Sequence, residues 1–130
     1  MKKYARFFKT LKSFSLAIVF AGYNGSNSVD SYAWYGDSSG NTHAVKGKTA
    51  NSNGLYDMSG NVWEWCWDWN GDYASANVTD PTGASSGSYR VYRGGGWNDV
   101  PRSCSVAYRY YDSPNLRYDY LGFRVVRNAP

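Results

Sequence analysis

At 130 residues and a formal charge of +4, these residues have room for one small domain with a modest core, which excludes a multidomain enzyme. Hydrophobic residues at 42% and charged residues at 18% exclude both a disordered tail and a membrane-embedded chain. Thirteen Tyr and six Trp stand beside five Leu and one Ile, so the core rests on rings rather than on the aliphatic stripes of a helix bundle. Much of the Tyr is left for the surface, where a phenol joins apolar area to a hydrogen bond.

The positive charge is local. Lys2, Lys3, Arg6, Lys9 and Lys12 stand in the first twelve residues without an acid, which leaves the remainder at −1. A near-neutral remainder with its last lysine at Lys48 argues against a nucleic-acid partner. Residues 1–21 read either as a signal-like segment or as the remnant of an altered upstream region. In the first case residues 14–20 form the apolar stretch and Val19-Phe20-Ala21 the cleavage site, which places the protein outside the cell or on its surface. The stretch is too short for a membrane span, and no Cys stands nearby to carry a lipid.

From residue 22 to 54 the chain is rich in Gly, Ser and Asn, turn formers that leave little regular structure. Within it Ser31-Tyr32-Ala33-Trp34-Tyr35 predicts a helical turn that plugs the core. Trp63, Trp65, Trp67 and Trp69 then recur with a period of two, which predicts a strand with four indoles on one face. Val62, Glu64, Cys66 and Asp68 take the other face. Residues 70–88 are a turn-rich connection containing Asp80-Pro81-Thr82-Gly83. Tyr89–Arg93 and Leu121–Arg127 predict two further strands. Cys66 and Cys104 allow one pairing, a disulfide closing a loop of about 38 residues in an oxidising compartment; in a reducing one they remain buried thiols. No spacing of Cys and His suits zinc.

Three motifs in order carry a resemblance: Gly54-Leu55-Tyr56-Asp57-Met58-Ser59-Gly60-Asn61-Val62-Trp63-Glu64-Trp65, then Arg90-Val91-Tyr92-Arg93-Gly94-Gly95-Gly96-Trp97, then Gly122-Phe123-Arg124. Together they resemble the formylglycine-generating-enzyme, or sulfatase-modifying-factor, family. The resemblance implies an α+β, C-type-lectin-like fold for residues 22–130, loop-rich with short antiparallel strands. The strand and helix that usually open the family's fold find no match upstream.

The resemblance also bears on chemistry. Formylglycine-generating enzymes hold copper between two cysteines, and soft thiolates suit Cu(I). The second position is Cys104 here, while the first is Asp99, so neither copper nor catalysis is expected. With His43 as the single histidine, no histidine-based metal triad can form, and no motif suggests a nucleophilic relay. The family's Ca²⁺ site implies Asp57 and Glu64 as side-chain ligands with the carbonyls of Gly60 and Val62, hard oxygens of the kind Ca²⁺ takes. The alternative is that Asp57 caps a turn and Glu64 pairs with a buried arginine.

Residues 97–124 alternate between fixed-looking posts (Trp97, Cys104, Ala107, Arg109, Pro114, Arg117, Gly122, Phe123) and Tyr, Asp, Ser, Val, Leu or Arg. This is similar to the variable region of lectin-fold proteins diversified by retroelements, in which adenine mutagenesis of Asn codons yields those residue types. The candidate binding set is Asp99, Val100, Arg102, Ser103, Tyr108, Tyr110, Tyr111, Asp112, Ser113, Leu116, Tyr118, Asp119 and Tyr120. Rigid amphipathic rings mixed with small hydrogen-bonding residues make an antibody-like paratope. One or two of these rings are expected to finish the core. Arg109 and Arg117 are expected to brace the loops through carbonyls or acids such as Glu64 and Asp68. The expected ligand is a protein or cell-surface molecule, bound without catalysis. Nothing in the sequence sets an oligomeric state.

Overall fold

A computed structural model describes residues 28–73, 75, 78–79 and 81–125. The signal-like segment, Asp80 of the expected turn, and Val126 and Arg127 of the expected last strand lie outside the described residues. Among the described residues, no helix is long and apolar enough to cross a membrane.

The first element is a single helical turn, α1 (Val29–Tyr32). It ends where Ala33 N–H returns to the Val29 carbonyl at 2.9 Å, and Ala33 itself is buried. The helical turn is present two residues earlier than the apolar run suggested, but none of its residues is buried, and only Ala33 after it enters the core. A long irregular stretch follows. It is held by single backbone bonds, among them Asn61 N–H to the Trp34 carbonyl (2.8 Å) and Trp97 N–H to the Asn61 carbonyl (2.7 Å).

Among the described residues four strands make one sheet: β1 (Trp63–Trp69), β2 (Arg90–Arg93), β3 (Tyr110–Asp112) and β4 (Leu121–Gly122). Their order is β3-β2-β1-β4, which leaves β3 and β4 at the edges. β2 lies antiparallel to both β1 and β3, whereas β4 runs parallel to β1, with Trp63 opposite Leu121 and Glu64 opposite Gly122. The last strand is shorter than the sequence pattern predicted. After Gly122, which packs under the Val62 side chain, the chain leaves the sheet so that Arg124 can reach the Tyr56 and Asp57 carbonyls.

The indole ladder forms as predicted, but only its first rung is a core wall. Trp63 is buried, and the other three are half-buried. Tyr92 on β2 meets Trp63 and Trp65 edge-on, with centroids 5.0 and 5.1 Å away, a favoured geometry for ring quadrupoles. Two residues earlier, the Arg90 guanidinium lies over Trp67 at 4.3 Å and Trp69 at 3.5 Å. A register shift between Trp65 and Trp69 bends the strand here. Arg90 thus covers the far end of the ladder by cation–π contact.

Of the two states left open, a disulfide or a pair of buried thiols, the structure has Cys66 and Cys104 as thiols, and only Cys104 is buried. They sit on different elements with separate contacts. Cys66 is half-buried on β1, its Sγ 3.8 Å from the Glu64 carbonyl. Cys104 ends a short 3-10 turn (Pro101–Cys104) and is completely buried. Gly95, at φ 78°, presents its bare Cα to that sulfur, and a Cβ there would stand 2.7 Å from Sγ. Only glycine allows this approach.

Candidate functional site

The segment from Trp97 onward is fastened to the sheet before it becomes a surface. Asp99 Oδ2 accepts from Trp63 Nε1 at 2.6 Å and from Gly96 N–H at 2.9 Å, while its carbonyl accepts from Gly36 N–H at 2.8 Å. A residue expected at the binding face is thus bonded to the core's central indole. Next to it, burial first and then the Asp99 carboxylate push the Cys104 thiol up to about 12. A sulfur held as a thiol is a poor nucleophile. Ser103, also expected at the face, is buried instead, because the 3-10 turn that carries Cys104 inward takes it along.

Arginines brace the loops. Arg93 donates from Nη1 to the Val106 and Tyr108 carbonyls at 3.1 and 3.2 Å, and from Nη2 to Tyr73 Oη at 3.0 Å. Arg109 donates to the Gly71 carbonyl at 2.5 Å and lies 4.0 Å from the Tyr73 ring centre. A planar fork with several fixed donors suits carbonyls that no sheet ladder satisfies. Arg109 therefore braces as expected, through a carbonyl. Arg117 is exposed. The acid Glu64 is held by Arg124 rather than by either. The bracing role of Arg93 escaped the sequence, which shows only a strand cation; its position opposite Glu64 in β1 gave no hint that it faces a loop.

The remaining members of the set form a ring-rich surface. Tyr110 and Tyr111 are adjacent on the edge strand β3, with 50% and 45% of their surface exposed. Their rings stack 5.7 Å apart, and the row continues to Tyr89 at 5.6 Å on one side and Tyr92 at 5.6 Å on the other. Tyr118 and Tyr120 make a second stack, centroids 5.0 Å apart and planes 6° from parallel. Val100, Arg102, Leu116, Tyr118 and Asp119 are exposed, while Asp112, Ser113 and Tyr120 are half-buried. Tyr108 is half-buried with its ring 6.0 Å from Trp63, the ring of the set that turns toward the core.

The four residues of the implied cation site line one cavity of about 500 Å³, together with Lys46 and Arg124. Their turn is tightly curled, with positive φ at Asp57 (55°), Gly60 (78°) and Asn61 (67°). Gly60 is obligatory there, since a Cβ would stand 2.4 Å from the Trp34 carbonyl oxygen. Arg124 grips both Glu64 oxygens at 2.7–3.0 Å, and Asp57 Oδ2 caps the Lys46 N–H at 2.8 Å. Burial pushes the Glu64 carboxyl up, Arg124 pulls it back, and Asp57 adds repulsion. Asp57 thus holds a backbone amide from eleven residues earlier rather than a local turn, and Glu64 pairs with an arginine that is half-buried. The donors fit Ca²⁺ in kind, all of them oxygens, and each carboxylate keeps lone pairs beyond those in use.

A sequence profile of the sulfatase-modifying factor enzyme 1-like domain matches residues 17–129. The chain is 37% identical over 91 residues to a protein named serine/threonine-protein kinase pkn1 from Chlamydia pneumoniae, covering 67% of this chain and 15% of that protein. It is 39% identical over 93 residues to the formylglycine-generating enzyme of Streptomyces coelicolor, covering 68% of this chain and 30% of that enzyme. Among solved structures it is similar to Treponema denticola variable protein 1, with a TM-score of 0.74 and 42% identity over 83% of this chain and 42% of that one. The chain spans less than half the length of each of these proteins.

Proposed function

Because the chain belongs to the sulfatase-modifying factor enzyme 1-like domain family, we propose that it serves there as a non-catalytic ligand-binding member, one that presents a diversified Tyr/Asp/Ser surface to a protein or cell-surface molecule. The observation that carries this reading is the pair Tyr110 and Tyr111, consecutive on an edge strand and both about half exposed. β3 is an edge strand of the sheet, and the two rings stack on each other there, 5.7 Å apart. Two rings exposed together there supply large rigid contact area at small entropic cost. Behind them Arg93 and Arg109 hold the loops, and rigid support of this kind limits the ordering cost of binding. The likeness to the Treponema denticola variable protein supports the same reading.

Oxidase chemistry, suggested by the name of the Streptomyces coelicolor relative, needs a second thiolate. Asp99 stands at that place and is already bonded to Trp63 and Gly96. Two measurements separate the readings. Purified surface proteins are screened against the full chain, and a binder counts when Tyr110→Ser/Tyr111→Ser weakens it at least about tenfold without moving the melting temperature. Cu(I) titration and turnover of a Cys-containing peptide are measured alongside. Binding indifferent to both tyrosines, or copper-dependent turnover, overturns the proposal.

Asp57, Glu64 and the Gly60 and Val62 carbonyls are the proposed Ca²⁺ ligands. The ion would supply charge that ties the curled turn to β1 and would take no part in a reaction. The expected result is a higher melting temperature in Ca²⁺ than in chelator, abolished by Asp57→Ala. Identical melting in both removes the site.

A further inference from the structure

Of the cations around the tyrosine surface, Arg93 and Arg109 are committed to the protein's own carbonyls and rings, Arg102 stands 5.8 Å from the Tyr108 ring centre, and Arg117 is exposed. The carboxylates are not so committed. Among the described residues the ion pairs are His43 with Asp37 and Arg124 with Glu64, so neither Asp112 nor Asp119 has a Lys or Arg nitrogen within 4.0 Å. Arg117, exposed on the same loop, pairs with neither. Asp112 accepts from Ser113 N–H at 2.8 Å through one oxygen, and its other oxygen lies 3.4 Å from Tyr118 Oη. Asp119 stands exposed between the two stacked rings in sequence. Desolvation first, then the Asp112 charge, push the Tyr118 phenol above its ordinary value. Tyr120 moves the same way, by desolvation and then by Tyr118, Asp119, Asp99 and Asp112. Negative charge therefore gathers at this corner beside two ring faces.

We propose that this corner, the Tyr118–Tyr120 stack with Asp112 and Asp119, receives an arginine side chain of a protein ligand, an inference that rests on the ligand-binding reading above. Ring faces and carboxylates both attract a cation, and a guanidinium satisfies both at once: its plane lies on a ring while its fork meets an acid. The fold already lays a guanidinium on a ring twice on neighbouring elements, with Arg90 over Trp69 at 3.5 Å and Arg109 over Tyr73 at 4.0 Å, the fork in each case meeting a backbone carbonyl. The compact, strongly hydrated ammonium of lysine gains less from a stacked pair.

The test uses a displayed library of random short peptides, selected on the full chain and counter-screened on two variants. Tyr110→Ser/Tyr111→Ser removes the ring row on β3 but leaves the corner. Asp112→Asn/Asp119→Asn removes the charges while keeping an acceptor for Ser113 N–H; Asp119→Asn alone, at an exposed position, stands in should the double variant fold poorly. The expected result is a set of peptides that the tyrosine variant binds weakly, that is enriched in arginine, and that loses about tenfold in affinity on the asparagine variant. Affinity should fall again when the selected arginines are replaced by lysine. Peptides that need the tyrosines but show no arginine excess, or that ignore both asparagines, overturn this inference and leave the binding surface standing. A library that yields nothing sensitive to Tyr110 and Tyr111 overturns the binding surface and this inference with it.

Discussion

Arg124 Nε lies 3.0 Å from each carboxylate oxygen of Glu64, while its two terminal nitrogens reach the Tyr56 and Asp57 carbonyls at 3.1 and 2.7 Å. One side chain from the end of the chain thus ties β1 to the curled turn that precedes it. Both partners keep about a quarter of their side-chain surface exposed (27% and 21%), so solvent moderates the pair's strength. Arg124→Ala leaves one acid and two carbonyls short of donors and is expected to cost about 2–3 kcal/mol. Arg124→Lys keeps the charge without the fork and recovers less than half of that. Pairing Arg124→Ala with Glu64→Gln recovers part, since the stranded charge is gone. Denaturant melts of the four proteins check this ordering, and an Arg124→Ala protein as stable as the parent contradicts it.

Two glycines are expected to tolerate no side chain. At Gly60 a Cβ meets the Trp34 backbone, with N and O within 2.5 Å, and at Gly95 it meets Cys104. Backbone cannot step aside as a flexible side chain can. Gly60→Ala and Gly95→Ala are each expected to cost more than about 3 kcal/mol. Cys104→Ala introduced with Gly95→Ala restores only a part, because the Cys104 amide nitrogen is also 3.0 Å away. Gly40, with nothing within 4 Å of a Cβ but a φ of 78°, serves as the control that isolates backbone strain: Gly40→Ala is expected to cost about 1 kcal/mol. Melting temperatures of this series rank the positions, and equal losses at all three refute close approach as the cause.

The tyrosines should separate into two classes. Tyr110→Ser and Tyr111→Ser remove exposed rings and are expected to change stability by no more than about 0.5 kcal/mol each. Tyr92→Ala removes the ring against which Trp63 and Trp65 both pack, at an expected cost of about 3–5 kcal/mol. Comparable losses at Tyr110 and Tyr92 would mean that the β3 rings are structural, and the surface assigned to them would go.

This division shows what was legible before any coordinates. The period-two tryptophans marked β1 to within one residue, because strict alternation over such a run suits only a strand, although only Trp63 of the four indoles is buried. The fold followed from three motifs in order. Burial along 97–124 was less legible, because the 3-10 turn sends polar Ser103 inward and leaves apolar Val100 outside, the reverse of what their polarity suggests. The same limit hid Asp99, whose acceptor role depends on Trp63 Nε1, 36 residues away. It hid Arg93 too, since a strand's pattern says which face a side chain takes but not which loop returns to meet it.

Cysteine chemistry gives the last prediction. Completely buried, Cys104 should resist a thiol reagent such as dithionitrobenzoate in the native protein and react once denaturant is added, giving two thiols per unfolded chain without reductant. Fewer than two would mean a bond between Cys66 and Cys104 after all. The same burial sets a pH dependence. The unfolded thiol titrates near its ordinary 9.0, whereas the folded one, pushed up by burial and then by Asp99, titrates at about 12. Between these values the unfolded chain gives up a proton that the folded chain keeps, so the group's contribution is fully present below pH 9 and is lost as pH rises toward 12. The slope is about 1.4 kcal/mol per pH unit for one such group. Tyrosines and lysines titrate over the same range, so the signal is the difference between the parent and Cys104→Ala. The parent is expected to lose stability more steeply between pH 9 and 11 in urea titrations. Parallel curves for the two proteins would show that the Cys104 sulfur ionises as readily inside the fold as outside it.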